Sequence, residues 1–258
     1  MTASNDQIRS SVREHYGRVA DTSGCCSPGC CGQNPDNSLE LGYTEEDLAA
    51  LPDGANLGLG CGKPQAIASL RTGETVLDLG SGAGFDSFLA ARKVGANGRV
   101  IGVDMTPSMI EKARDNARRL GTTNVEVRLG EIEHLPVGDA TVDVILSNCV
   151  INLSPEKALV FRDAFRALKP GGRLAISDVV RTSKIPAELE QKMDALCGCI
   201  SGAAAVDEIE TMLAEAGFGD VRIEVKPESR EFIQNWIPDS GAEDYVASAT
   251  IQAVKPAD

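Results

Sequence analysis

The stretch from residue 72 to residue 180 alternates short apolar runs with helical patterns, and this alternation leaves few folds open. "ETVLDLG" is an apolar run ending in glycine, "FDSFLAARKVG" has helical periodicity and stops at Gly95, and "GRVIGVD" is the next strand. Thr106 and Pro107 open the helix "SMIEKARDNARRLG" with an N-cap and a proline at the first helical position. "VEVRLG" and "VDVILSNC" supply strands three and four, "SPEKALVFRDAFRALKPGG" a capped helix with a Gly-Gly stop, and "RLAISDVV" strand five. Nearly continuous apolar strands separated by helices predict a parallel sheet covered on both faces, because such strands have no polar side to turn to water. Beyond residue 180 the rhythm loosens. "PAELEQKMDALCGCISGA" predicts a helix running into a loop, "VDEIETMLAEAGF" a helix ended by Gly217, and "DVRIEVKP" and "YVASATIQAVKP" two late strands. Upstream, Ile8, Val12, Tyr16 and Val19 predict an amphipathic helix over residues 5–20. "GYTEEDLAALP" predicts a short helix capped by Thr44, with Asp47 three residues on. The expected organisation is an N-terminal arm (1–71), a sheet domain (72–180) and a C-terminal region carrying the last strands (181–258).

The loop after strand one, "VLDLGSGAGFD", carries Gly80, Gly82 and Gly84, which let a ligand approach the backbone closely. The helix that follows adds partial positive charge at its N-terminus. The spacing departs from a G-x-G-x-x-G dinucleotide loop. Asp78 stands two residues before the first glycine, where an acid repels a pyrophosphate and suits an ammonium group. Asp104 ends strand two, where an acid grips ribose hydroxyls. An amino-acid end plus a ribose describes S-adenosylmethionine (SAM). The candidate cofactor residues are therefore Asp78, Gly80, Ser81, Gly82, Asp104 and Met105. Ile132 and Glu133 in "GEIEHLP" fall where an adenine ring would be sandwiched and read, and Asn148 at the end of strand four can hydrogen-bond the amino-acid part. The bland alternative, that glycines and acids merely close turns, fits poorly with strand, loop, helix, strand and Asp104 all in register. His134 reads as a surface or helix-end residue.

The chain has 258 residues, 42% of them hydrophobic, and a net charge of −13. Lys and Arg are scattered among acids, so no basic patch offers itself to nucleic acid or an anionic membrane. No apolar run approaches the ~18 residues of a membrane span, and "MTASNDQIRSS" lacks an apolar signal-peptide core. A cytoplasmic location is expected. In that reducing compartment disulfide staples are rare, while metal-binding and redox cysteines are not. Four of the eight cysteines, Cys25, Cys26, Cys30 and Cys31, crowd into "TSGCCSPGCCGQ". A disulfide staple, a zinc site and a handler of another soft element all remain open for them. Against zinc, all four lie within seven residues, whereas structural zinc sites separate their pairs by a longer span. The remaining cysteines are Cys61, Cys149, Cys197 and Cys199, and the only histidines are His15 and His134. Cys149 ends strand four, where open α/β sheets bind their ligands. Cys197, two residues from Cys199, reads as packing, and Tyr16 and Trp236 as anchors for the terminal segments.

Several motifs taken together, "YTEEDLAALPDGANLGLGCGKP", "VLDLGSGAGFD", "GVDMTPSMIEKAR", "LSNCVINL" and "GCISGA", resemble the bacterial arsenite SAM methyltransferases, within the class I SAM-dependent methyltransferases. The resemblance runs from about residue 10 to the C-terminus. The glycine loop alone is shared by a vast superfamily, and the cysteines in the other motifs discriminate. The resemblance implies a Rossmann-like class I methyltransferase sheet, mostly parallel with a C-terminal antiparallel strand, a cysteine-rich N-terminal arm and a C-terminal appendage. It implies trivalent arsenic held by Cys61, Cys149 and Cys199. It also implies an upstream cysteine in disulfide chemistry, with Cys30 and Cys31 nearer the expected place than Cys25 and Cys26. The implied function is methylation of arsenite to methylated arsenicals, a detoxification. Electrons would come from a thiol reductant, thioredoxin or glutathione.

Physical chemistry agrees with that reading. Arsenic(III) is soft and prefers thiolate ligands, and its lone pair is the nucleophile, so no general base is needed; the scarcity of histidine fits. Two rivals stand beside it: a small-molecule O- or C-methyltransferase, which has no use for thiols at the acceptor, and a non-catalytic binder of soft metalloids. Nothing in the sequence demands an oligomer, so a monomer is expected.

Overall fold

The structure is a computed structural model and describes residues 4–21, 37–186, 199–236 and 240–257. Strands β1 (Thr75–Leu79), β2 (Arg99–Asp104), β3 (Val125–Leu129), β4 (Val142–Asn148), β5 (Leu168–Arg181), β6 (Gly219–Lys226) and β7 (Val246–Val254) form one sheet in the order β3-β2-β1-β4-β5-β7-β6. The first five run parallel, and β7 is wedged antiparallel between β5 and β6. The expected mixed sheet is what the fold shows.

The helices are α1 (Asn5–Asp21), α2 (Asn37–Glu40), α3 (Glu45–Ala49), α4 (Gln65–Ala68), α5 (Phe85–Val94), α6 (Pro107–Leu120), α7 (Lys157–Ala167), α8 (Val206–Ala216) and α9 (Arg230–Ile233). They cover the sheet on both faces, and strand pleating sorts the core accordingly. Leu77 and Leu79 pack with Ile101, Ile145, Phe161 and Leu213 on one face. Val76 packs with Ala90, Val94, Val144 and Ala175 on the other. Each such fully buried side chain contributes about 1.5–3 kcal/mol.

Two local readings are corrected. The helix expected to run to Gly171 and Gly172 ends at Ala167, and Leu168 is already extended and paired with Val142. Pro170 bars the helical conformation at Lys169, so β5 starts early and runs 14 residues. Thr106 precedes α6 as expected, but its side chain makes no cap; instead its backbone N–H donates to Asp104 Oδ1 at 2.8 Å. The Thr44–Asp47 capping box at α3 is present. Most of the helix expected from residue 186 lies outside the described residues.

The chain adds β2 and β3 on one side of β1, then crosses to the other side to lay down β4. Strand order therefore reverses between β1 and β4, and the loops leaving their carboxyl ends diverge. That divergence opens the crevice in which ligands of such sheets bind.

Candidate active site

The crevice is a cleft of about 730 Å³, walled by Gly80 and Gly82 after β1, Asp104, Met105 and Thr106 after β2, Ile132 and Glu133 after β3, and Asn148, Cys149 and Val150 after β4. A second compartment of about 570 Å³ shares Leu59, Gly80, Gly82 and Asn148 with it and adds Asp78, Ser81 and Asp86. Every residue expected to meet the cofactor lines one compartment or the other.

The cleft suits SAM on three observations. Gly80 has φ +64°, and a Cβ there would meet the Val150 side chain at 2.4 Å, so only glycine leaves the floor open. The Ser81 hydroxyl is buried in the wall with no partner, an acceptor and donor left for a ligand. The second compartment is acidic: burial pushes Asp78 up to about 8, with the Asp86 charge adding to it. A ligand ammonium would relieve that repulsion. Asp104 is oriented by the amides of Gly82 (3.0 Å) and Thr106 (2.8 Å) on its two oxygens.

Beside this cleft lie Cys61, Cys149 and Cys199, all buried, from a loop before β1, the end of β4 and a turn after β5. Cys149 is central: its thiol adjoins the other two, and the Cys199 thiol donates to the Cys149 carbonyl at 3.6 Å. Val12, Leu153, Val179, Ile185 and Trp236 pack around the three thiols, with Tyr16 alongside, so the two aromatic anchors both meet this cluster.

The surroundings keep the thiols protonated. Burial raises the Cys61 pKa. At Cys149 the bond to Cys199 lowers it, but the bond to Cys61, burial and the Asp178 charge together outweigh that. At Cys199 the bond to Cys149 and burial push it well up. Among the described residues no set of three or more Cys, His, Asp or Glu side chains forms a ready cage for a metal ion. The Cys61 and Cys199 thiols instead point at oxygens, Asn148 Oδ1 (3.9 Å) and the Cys149 carbonyl (3.6 Å), and must rotate to enclose a guest.

The loop carrying Cys61 is fastened at both ends of its peptide. The Cys61 N–H donates to Asn148 Oδ1 (3.1 Å), and its carbonyl accepts from Ser248 Oγ (2.7 Å). A Cβ on Gly60 or Gly62 would meet Asn148 Nδ2 or Ser177 Oγ at 2.8 Å, so "GCG" lets this loop lie directly on β4 and β5.

A family profile described as a methyltransferase domain matches residues 70–217. The chain is 53% identical over 98% of its length to the arsenite methyltransferase of Halobacterium salinarum, of which it covers 68%. The chain belongs to the arsenite methyltransferase family. It is also 38% identical over 84% of its length to the arsenite methyltransferase of Aquipseudomonas alcaligenes, covering 63% of that protein. The arsenic(III) S-adenosylmethionine methyltransferase of Chlamydomonas reinhardtii superposes with a TM-score of 0.61 at 30% identity, covering 87% of this chain and 74% of that one. The chain spans about two thirds of the length of these two curated relatives.

Two expected cofactor residues turn out to be engaged by the protein. The Asn148 carboxamide holds the Cys61 loop and donates to Gly62 O (2.9 Å), Tyr43 Oη (3.1 Å) and Asp86 Oδ2 (3.0 Å). Glu133 accepts from Ser154 Oγ (2.6 Å) and Arg9 Nε (3.4 Å). Sequence reasoning missed Arg9 altogether. With Val12 and Tyr16 it brings α1 over the cleft, and its guanidinium also pairs with Glu156. It missed Asn152 and Asp178 beside the thiols as well. No spacing rule joins Arg9 to Glu133, 124 positions away. Cys25, Cys26, Cys30, Cys31 and Cys197 lie outside the described residues. His134 is exposed, as expected.

Proposed function

We propose that this chain methylates arsenite held by Cys61, Cys149 and Cys199, with SAM in the adjoining cleft. The observation that carries the reading is three buried, unpaired thiols from three distant segments gathered around Cys149 at the wall of the cofactor cleft. Arsenite is an uncharged trihydroxide in neutral water. Each S–H that meets an As–OH forms an As–S bond and leaves as water with the hydroxyl. Three exchanges release three waters and no net proton, so thiols whose protons are retained by burial suit this guest.

Asp78, Ser81 and Asp86 would hold the amino-acid end of SAM, Asp104 its ribose, and Met105 and Ile132 its adenine. When bound, SAM supplies an electrophilic methyl group on a sulfonium. The protein binds the metalloid, directs its lone pair toward the cleft and excludes water with α1 and the Trp236 cluster. Such alignment accounts for a large part of the barrier reduction in bimolecular reactions.

Methylation leaves arsenic formally pentavalent. Cys61 and one cysteine of the group Cys25, Cys26, Cys30 and Cys31 would return two electrons to it by forming a disulfide, which thioredoxin or glutathione then reduces. We read residues 1–71 as the arm and first arsenic loop, 72–180 as the SAM-binding part and 181–258 as the part completing the thiol set. A monomer in the cytoplasm fits this reading, and among the described residues no helix is long and apolar enough to cross a membrane.

The test is arsenite methylation by wild type and by Cys61→Ser, Cys149→Ser and Cys199→Ser. Each variant is expected to lose inorganic arsenite turnover, with Cys61→Ser retaining activity on a methylated trivalent substrate, which needs fewer sulfurs. Full turnover by Cys149→Ser would refute the reading, and a phenol methylated in its place would point to an ordinary O-methyltransferase.

A further inference from the structure

We propose that Asp178 and Asn152 form the positioning pair that aims the Cys149 sulfur and sets its distance from Cys199. The proposal rests on the reading that these thiols bind arsenic.

Cys149 and Cys199 both adopt left-handed backbone conformations, φ +58° and +67°. A non-glycine residue there costs on the order of 1–3 kcal/mol and persists only where its surroundings over-determine it. At Cys149 the restraints can be traced. Its N–H donates to Ser177 O at 2.8 Å, adding one rung past the last β4–β5 pair, Asn148 with Ser177. The chain then turns sharply into a single 3₁₀ turn, Ile151–Leu153. Asp178, the next residue on β5, receives that turn: its Oδ2 accepts from the amides of Ile151 (2.9 Å) and Asn152 (3.3 Å).

The side chain of Asn152 completes the device. Its Nδ2 donates to Asp178 Oδ1 and lies 3.8 Å from Cys149 Sγ. The Cys199 thiol in turn points at the Cys149 carbonyl at 3.6 Å. One carboxamide thus touches the Cys149 sulfur, Cys199 leans on the carbonyl of that same cysteine, and one carboxylate holds that carboxamide and the backbone beside it.

Asp178 and Asn152 are 3% and 2% exposed. A buried carboxylate is costly unless well bonded, and here Asn152 Oδ1 is left buried without a partner. Its orientation is therefore dictated by Asp178 and the thiols rather than by its own hydrogen-bonding capacity. Neither side chain lines the cofactor cleft, which assigns them to the sulfurs and not to SAM.

The experiment compares Asp178→Asn and Asn152→Ala with wild type in the full chain. Asn152→Ala keeps the backbone bonds to Asp178 and so guards against a variant that simply fails to fold. Four quantities are read: arsenite turnover, S-adenosylhomocysteine affinity by calorimetry, melting temperature, and the number of sulfurs on arsenic by X-ray absorption with one equivalent of arsenite. The expected result is turnover down by about 10–100-fold, the range seen when residues orienting metal ligands are removed. Nucleoside affinity should stay within twofold, and the sulfur count should fall below the wild-type three. Turnover within twofold of wild type would overturn the proposal. So would lost turnover with three sulfurs retained, or equal loss of nucleoside binding and melting temperature. A wild-type count below three would instead overturn the arsenic-site reading itself.

Discussion

Asp78 shows how one buried acid sets the conditions for cofactor capture. Its pKa of about 8 in the free cleft, against 3.8 for an ordinary aspartate, comes from burial first and the nearby Asp86 charge second. At pH 7 the free protein therefore holds a proton there that the unfolded chain has lost. This contribution favours the folded state at low pH and is lost as pH rises through 8. An ammonium ligand needs the carboxylate, so its binding expels the proton. S-adenosylhomocysteine affinity is expected to weaken by up to tenfold per pH unit below 8 and to level off above it. Calorimetry at pH 7 in buffers of different ionisation enthalpy should report release of up to one proton, and a flat profile would remove Asp78 from the ammonium site. At this same scale the legibility of the site divides sharply. Cys61, Cys149 and Cys199 could be named from the motifs that embed them. Asp178 could not, because an acid near the end of an apolar strand looks like any strand-terminal polar residue until β4 and β5 are in register. Asn148 misled for a related reason: its position beside the cleft was readable, but its four partners come from Tyr43, Cys61, Gly62 and Asp86, and only the fold assembles them.

Among the elements, α1 bears most directly on the cleft. Its inner face contributes Val12 and Tyr16 to the wall, and Arg9, 11% exposed, fastens it to Glu133 and Glu156. A charge-assisted bond of this kind is worth about 1.5–3 kcal/mol. Arg9→Met is therefore expected to weaken S-adenosylhomocysteine binding by roughly tenfold or more, while the fold, read by circular dichroism, stays intact. Unchanged affinity would show that α1 packs there without closing the cleft. The amphipathic pattern of α1 was visible in Ile8, Val12, Tyr16 and Val19, but not the surface it covers. The strands β1, β2, β4 and β5 were plain to read, because burial on both faces leaves them apolar along most of their length. The error at α7 has an equally local cause. Helical periodicity carried the eye through Leu168 and Lys169 to the glycines, whereas pairing of Leu168 with Val142 and the proline at 170 had already ended the helix.

Across the whole molecule, the thiol site is a tie between parts that are remote in sequence. Arsenite bound to Cys61, Cys149 and Cys199 would join the segment before β1, the end of β4 and the turn after β5. A guest that binds only the folded state stabilises it by about 2.7 kcal/mol at a hundred times its dissociation constant. For a chain of this size that corresponds to a rise in melting temperature of about 5–10 °C. Wild type should show that rise in a thermal shift measurement with arsenite, and Cys149→Ser should show little of it. Equal shifts in both would mean that the metalloid is held elsewhere.

The wedged position of β7 has a consequence for biosynthesis. Ser248, which fastens the Cys61 carbonyl, lies on the last of this sheet's seven strands to be synthesised, yet on an interior strand of the finished sheet. While translation is under way, β5 presents a bare edge and β6 has no neighbour to pair with. Domains of this kind finish folding only when their final paired segment is available. The nascent chain can thus shape its nucleoside pocket well before it can secure the Cys61 loop, and that loop waits for β7.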